Sequence, residues 1–290
     1  MSIKLGVVLP SREISLDRFA IRDFTQAAES LGYETLVVYD HPTGGLKPEG
    51  NRGNTFSTPY IEPLVVLGAL AMVTKKINLT TGVLVLPQRQ TVLVAKQAAA
   101  VDILSGGRLR LGVGVGLNPT DYLALDQNYH NRGRRIESQI SLLRELWTKE
   151  LVTFQTESGD LVLAGINTLP VQRPIPLWMG GWSDPVIERT LRLADGWLAT
   201  GIGSDPYIQT QARKFNQAKR KAGKPNFGIV GGIGNSGGGP EYWRFEFRNW
   251  KNLEATEIVF GTVGAGYGSD VERHIKAIEQ FKKIINEESF

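Results

Sequence analysis

Residues 80–116 read TTGVLVLPQRQTVLVAKQAAAVDILSGGRLRLGVGVG, and this stretch decides the fold. Ile77 to Leu86 is an apolar run rich in β-branched residues and has strand character. Thr91 to Leu104 is an alanine-rich helix, stopped by Gly106 and Gly107. Leu109 to Val115 returns to strand. Strand, helix and strand in succession form a βαβ unit, whose strands lie parallel with a right-handed crossover.

The same alternation continues on both sides. Upstream, Ile3 to Leu9 is a strand, Leu16 to Leu31 a helix ended by Gly32, Glu34 to Tyr39 a strand, and Pro59 to Lys75 a helix. Downstream, Asn131 to Trp147 is a helix with Ile136, Ile140, Leu143 and Leu146 on one face. The rhythm then breaks. Leu151 to Leu163 alternates apolar and polar residues around Ser158-Gly159-Asp160, as a β-hairpin does, and Pro170, Pro174 and Pro176 mark an extended return. Strands follow at Ile175–Met179, Gly196–Thr200, Phe227–Ile233 and Glu257–Phe260. Helices separate them at Pro185–Ala194, Pro206–Ala222, Glu241–Leu253 and Val271–Asn286. Eight such units in 290 residues predict one domain over residues 1–290. Its expected fold is α/β, a closed (β/α)8 TIM barrel with a short hairpin insertion after strand four. An open doubly wound sheet is the alternative.

Composition narrows the function classes. Hydrophobic residues are 41% and charged residues 21%, ordinary for a globular protein with a large core. Cysteine is absent, which excludes disulfides, thiolate metal sites and a cysteine nucleophile. The N-terminus lacks the pattern of a signal peptide, and no apolar run approaches the roughly 20 residues of a membrane span. A cytoplasmic protein without membrane contact is expected. Net charge is +4, and the densest basic run, Lys214 to Lys224, has helical spacing. It reads as a solvated helix face rather than a nucleic-acid groove.

In a closed barrel the site lies in the loops after the strands. After strand two comes Tyr39-Asp40-His41-Pro42, where a strand-end histidine is placed to move a proton. A loop histidine bonded to Asp40 is the structural alternative. His130 and His274 form no metal-ligand spacing with His41, so no metal is expected. Gly112, Gly114 and Gly116 are spaced G-x-G-x-G, which is not the dinucleotide fingerprint; alternating small residues on a barrel strand let something approach its inner wall. After strand five, Gly180-Gly181-Trp182-Ser183-Asp184 leads into a helix, as either a phosphate cradle or a plain capped start.

At these residues the chain resembles the bacterial luciferase-like monooxygenase family, including its deazaflavin-dependent members. The likeness runs over residues 32–200: GYETLVVYDHP, the stretch 80–116, Asp121-Tyr122, Arg132 with its helix, PVQRPIPLWMGG, and Ala194-Asp195-Gly196-Trp197. It implies a cofactor ring in the barrel mouth, FMN or the deazaflavin coenzyme F420. Asp40 and His41 match the active-site pair. Gly82 and Val83 match the strand-three bulge behind the ring, where a non-prolyl cis peptide is expected. Gly180 and Gly181 match the phosphate-side glycines, with Ser183, Thr200 and Gly201 adding to that cradle.

Two departures narrow the choice. The acidic proton donor of the family's sugar-phosphate dehydrogenases falls at Leu117, and the phosphate-gripping arginine of true luciferases falls at Val115. Deazaflavin is preferred, with Lys47, Arg52 and Arg89 expected to receive its acidic tail. FMN is the alternative, and would imply a monooxygenase fed by a partner reductase. A small-molecule substrate is expected, and a homodimer is allowed. Two other classes fit these residues less well. A non-catalytic flavin-binding barrel has no use for Asp40-His41, and a barrel hydrolase wants paired strand-end carboxylates, of which Asp40 has no evident partner. Gly231 to Gly239 reads as a glycine-rich loop of unassigned role.

Overall fold

In a computed structural model that describes residues 3–14, 17–43, 58–156, 158–234 and 238–288, eight parallel strands close into a barrel. They are β1 (Lys4–Val8), β2 (Thr35–Val38), β3 (Asn78–Thr81), β4 (Leu109–Gly114), β5 (Leu177–Gly180), β6 (Gly196–Ile202), β7 (Gly228–Gly234) and β8 (Glu257–Gly261). Closure is made by β1 against β8, with Lys4 opposite Glu257, and by β3 against β4, with Thr80 opposite Arg110. Eight helices wrap it: α1 (Arg18–Ser30), α2 (Pro63–Val73), α3 (Thr91–Ser105), α4 (Arg132–Thr148), α5 (Asp184–Leu193), α6 (Pro206–Lys221), α7 (Pro240–Asn252) and α8 (Val271–Glu288). The hairpin pairs Val152–Gln155 with Leu161–Ala164, antiparallel, after β4. Ile136, Ile140, Leu143 and Leu146 of α4 are all fully buried, as their spacing requires.

Local chemistry moves several boundaries. The helix expected from Pro59 starts at Pro63, because the Glu62 carboxylate caps it by accepting the Val65 N–H at 2.7 Å. Asp17 caps α1 in the same way through Phe19 and Ala20. The strand expected over Ile77–Leu86 breaks after Thr81. The Gly82–Val83 peptide is cis, and only Leu84–Val85 resumes pairing, against β4. Two short helices, Ser11–Ile14 and Pro119–Ala124, fall in segments read as loop.

Two surface readings change. The basic run of α6 is not wholly solvated: Lys219 is 3% exposed, lying against Glu254 and the Phe227 carbonyl. β7 holds Gly231 and Gly232, as the strand expected to Ile233 requires, and takes in Gly234 from the glycine-rich stretch as well; a Cβ on Gly231 would enter the Trp250 indole. Residues 235–237 of that stretch, and Lys47 and Arg52, lie outside the described residues. The outward faces of α2 and α3 stay apolar, with Val65, Met72, Leu93 and Leu104 exposed. Among the described residues no helix is long and apolar enough to cross a membrane.

The barrel is filled at its N-terminal end. Arg110 and Glu257 pair through two bonds of 2.8 Å, and Arg110 also reaches the Thr80 hydroxyl at 3.2 Å. The guanidinium lies 4.6 Å over Trp178. That indole fits only because Gly196 and Gly228 have no side chain, since a Cβ on Gly196 would sit 2.6 Å from its ring atoms. Above this layer Val8, Val37, Leu198, Val230 and Val259 form an apolar floor, with Tyr39 and Val83 packed against it.

Candidate active site

At the C-terminal end the inward positions of β4, β5 and β8 are glycines: Gly114, Gly180 and Gly261. Val83 uses two of them. A Cβ on Gly114 would lie 2.6 Å from Val83 Cγ2, and one on Gly180 2.5 Å from Val83 Cγ1. So the break in strand three and the small residues on strands four and five are one device, which sets an isopropyl group against the floor. A Cβ on Gly261 would meet Val8 Cγ2 at an ordinary 3.6 Å, so there the mouth is open. An apolar floor without side chains above it is a cradle that suits a flat aromatic ring.

The loop after β2 is held by a clamp. Asp40 is 4% exposed. Its Oδ2 accepts the Val85 N–H at 2.9 Å and its Oδ1 accepts from Arg89 Nη2 at 2.7 Å. Arg89 Nη1 donates to Glu62 Oε1 at 2.9 Å, while Glu62 Oε2 caps α2. Each carboxylate thus binds one backbone amide and the shared guanidinium. This ties together the end of β2, the loop after β3 and the start of α2.

His41 stands beside this clamp. Its ring lies 4.4 Å from that of Tyr60, tilted by 54°. Burial lowers its pKa from the ordinary value; Asp121 and Asp40 pull it back up, and Arg12 pushes it down. The imidazole is therefore neutral at pH 7. Asp121, 2% exposed, accepts from the Thr43 hydroxyl at 2.5 Å and from Asn118 Nδ2 at 2.8 Å, which joins the loops after β2 and β4. Burial also pushes the Tyr39 hydroxyl up to about 12. His41, Tyr60, Glu62, Gln88, Arg89 and Leu125 line a cleft of about 280 Å3.

Across the ring, β5 and β6 carry the expected anion side. The Trp197 indole N–H donates to the Gly181 carbonyl at 2.7 Å, and that of Trp182 to the Ala199 carbonyl at 3.1 Å, so two indoles pin the loop. Gly181 has φ of +119°, which its lack of a Cβ permits. Ser183 is the N-cap of α5, and its hydroxyl makes no capping bond to the helix. Pro185 supplies no N–H, and the Val186 and Ile187 amides donate to the Ser183 carbonyl. Asp184 at the same helix end is matched by Lys214 at 3.0 Å and Gln211 at 3.1 Å. Gly180 lies opposite Leu198, so Thr200 and Gly201 follow beside this loop.

The barrel therefore gathers the nine expected residues in three groups: Asp40 and His41 on one side, Gly82 and Val83 at the floor, and Gly180, Gly181, Ser183, Thr200 and Gly201 opposite. Arg89, expected to receive an acidic tail, is instead committed to Asp40 and Glu62. Sequence reading passed over Tyr60, Glu62 and Gln88. The available signal was weak: a polar Gln88-Arg89 pair directly after the apolar run ending at Pro87.

Residues 4–232 match the luciferase-like monooxygenase family. The F420-dependent glucose-6-phosphate dehydrogenase of Segniliparus rotundus is 30% identical over 243 residues, 79% of this chain and 67% of that one. The fold is similar to that of monooxygenase RslO1 from Streptomyces bottropensis, with a TM-score of 0.78, 16% identity and coverage of 99% of this chain and 100% of that one. It is also similar to that of an F420-dependent secondary alcohol dehydrogenase in complex with an F420-acetone adduct, with a TM-score of 0.76, 17% identity and 99% of each chain covered.

Proposed function

The chain belongs to the luciferase-like monooxygenase family, and on that premise we propose that it is a cytoplasmic F420-dependent dehydrogenase or reductase of a small, neutral organic molecule. The observation that carries this reading is His41 in a cleft beside a glycine-opened, valine-floored mouth. A relative 30% identical is described as F420-dependent, which supports the choice of cofactor.

When bound, the deazaflavin supplies hydride transfer. Val83 and the floor valines support its ring. Backbone groups at Gly180 and Gly181, with Ser183, Thr200 and Gly201, would hold its anionic tail beside the start of α5. His41 accepts a proton from the substrate hydroxyl in oxidation and returns it in reduction. Asp40 acts as a positioning residue: its oxygens fix the backbone at Val85 and the side chain of Arg89, and its charge supports His41.

The substrate differs from that of the Segniliparus relative. Leu117, where the sugar-phosphate dehydrogenases carry their acid, is a solvent-facing leucine, 81% exposed. Arg89 is already paired twice, so it offers nothing to a phosphate. The outward apolar residues of α2 and α3 support a homodimer through those helices.

Titration of the purified chain with F420 and with FMN, followed by absorbance and fluorescence, tests the reading. Binding of F420 well ahead of FMN is expected. Tight FMN binding with none for F420 would overturn it and leave a monooxygenase that takes reduced FMN from a partner reductase.

A further inference from the structure

Gln88 follows Pro87 in the turn after β3 and is 5% exposed. Both atoms of its carboxamide, Oε1 and Nε2, are buried and have no hydrogen-bond partner among the described residues. A buried carboxamide left unpaired costs free energy, so its presence needs a reason. Gln88 lines the same cleft as His41, Tyr60, Arg89 and Leu125. Its Nε2 lies 3.7 Å from where a Cβ on Gly116 would stand. Gly116, with a φ of +61°, adds no side chain of its own there. The neighbouring polar groups are already bound: Asp40 and Glu62 each hold a backbone amide and Arg89.

We propose that Gln88 is the substrate-recognition residue of the cleft, and that it reads a neutral molecule carrying a hydrogen-bond donor next to an acceptor, as in a carboxamide, lactam or imide. A carboxamide presents one acceptor and one donor side by side, and pairs with that edge through two bonds. Charge argues in the same direction. Among the lining side chains Asp40 and Glu62 outnumber Arg89 by one charge, and Arg12 and Asp121 beside them cancel, which disfavours an anion. A pocket built to bond such a group rejects an analogue lacking it, because its own polar atoms are then left unpaired. This proposal deepens the reading of the cleft given above, but its test does not depend on the cofactor.

The test uses the full chain and compares Gln88→Leu, close in size but without the carboxamide, with the natural protein. The urea and thermal midpoints should hold or rise in Gln88→Leu, since an unmet polar group is removed. A clear fall would overturn the proposal by showing that the carboxamide makes structural bonds. Loss of folding in both Gln88→Leu and the unbranched Gln88→Met would do the same. Benzamide and ethylbenzene are the binding probes, read by protein-observed NMR titration. The natural protein should prefer benzamide by about tenfold, the worth of a neutral hydrogen bond, and Gln88→Leu should lose that preference. Equal preference in both proteins would overturn the assignment of Gln88, and no preference in the natural protein would overturn the substrate class. Neither readout involves turnover, so an FMN outcome in the cofactor titration leaves both standing.

Discussion

The two ends of one barrel interior use glycine in opposite ways. At the N-terminal end, Gly196 and Gly228 are absent side chains that another side chain fills, and Trp178 occupies the space under Arg110 and Glu257. At the C-terminal end, Gly114 and Gly180 admit only Val83, while Gly261 looks onto open room. One end is finished by the protein itself; the other is left for something else. Close packing accounts for stability at the first, and at the second the missing volume is what the proposed cofactor ring would fill.

The largest effects should separate cleanly between the ends. His41→Ala is expected to lower turnover by about 10²–10⁴-fold, with the urea midpoint nearly unchanged because the ring lies in a loop at the cleft. Steady-state kinetics on an accepted substrate and a denaturation curve check both halves. Glu257→Met should do the reverse. It strands Arg110 in a buried position and should cost about 3–5 kcal/mol of stability, while the surviving folded protein turns over normally. Equal damage to stability from both variants would erase the distinction.

A smaller contrast uses one substitution twice. Gly196→Ala places a methyl group against the Trp178 ring and should cost about 1–3 kcal/mol by overpacking. Gly261→Ala finds only an ordinary contact with Val8 and should stay within about 0.5 kcal/mol of the natural protein. Urea unfolding of the two proteins side by side is sufficient, and similar losses would mean that the mouth is as tightly packed as the base.

The smallest effect is electrostatic. If His41 must be neutral to accept a proton, kcat/KM falls on the acid side with a midpoint below the ordinary histidine value, since burial lowers that pKa. Arg12 pushes the same way, so Arg12→Gln should move the midpoint up, and Asp121→Asn should move it down. A pH profile of each variant decides it; shifts of the same sign would remove His41 as the titrating group.

Much of this frame was legible in the sequence. Alternating strand and helix signals depend on local periodicity, so the eight units, the hairpin and the apolar face of α4 could be read directly. The spaced glycines of residues 112–116 were also legible as places of close approach, and Gly114 does receive Val83. Function was less accessible because its parts are distant in the chain. Tyr60, Gln88 and Leu125 meet only through barrel closure. Composition misled where tertiary context overrode it: Gly234 reads as the start of a glycine-rich loop but still belongs to the strand, and Lys219 looks solvated but is buried.

The Arg89 clamp has a consequence for how such a protein can diversify. It binds its three elements to one another and leaves the cleft wall to residues outside it. Gln88 and Leu125 can therefore be exchanged as a palette without loosening that frame, whereas Tyr60 packs against His41 and helps to hold it. For anyone reshaping selectivity, those two positions are the ones to randomise, and Asp40, Tyr60, Glu62 and Arg89 are the ones to hold constant.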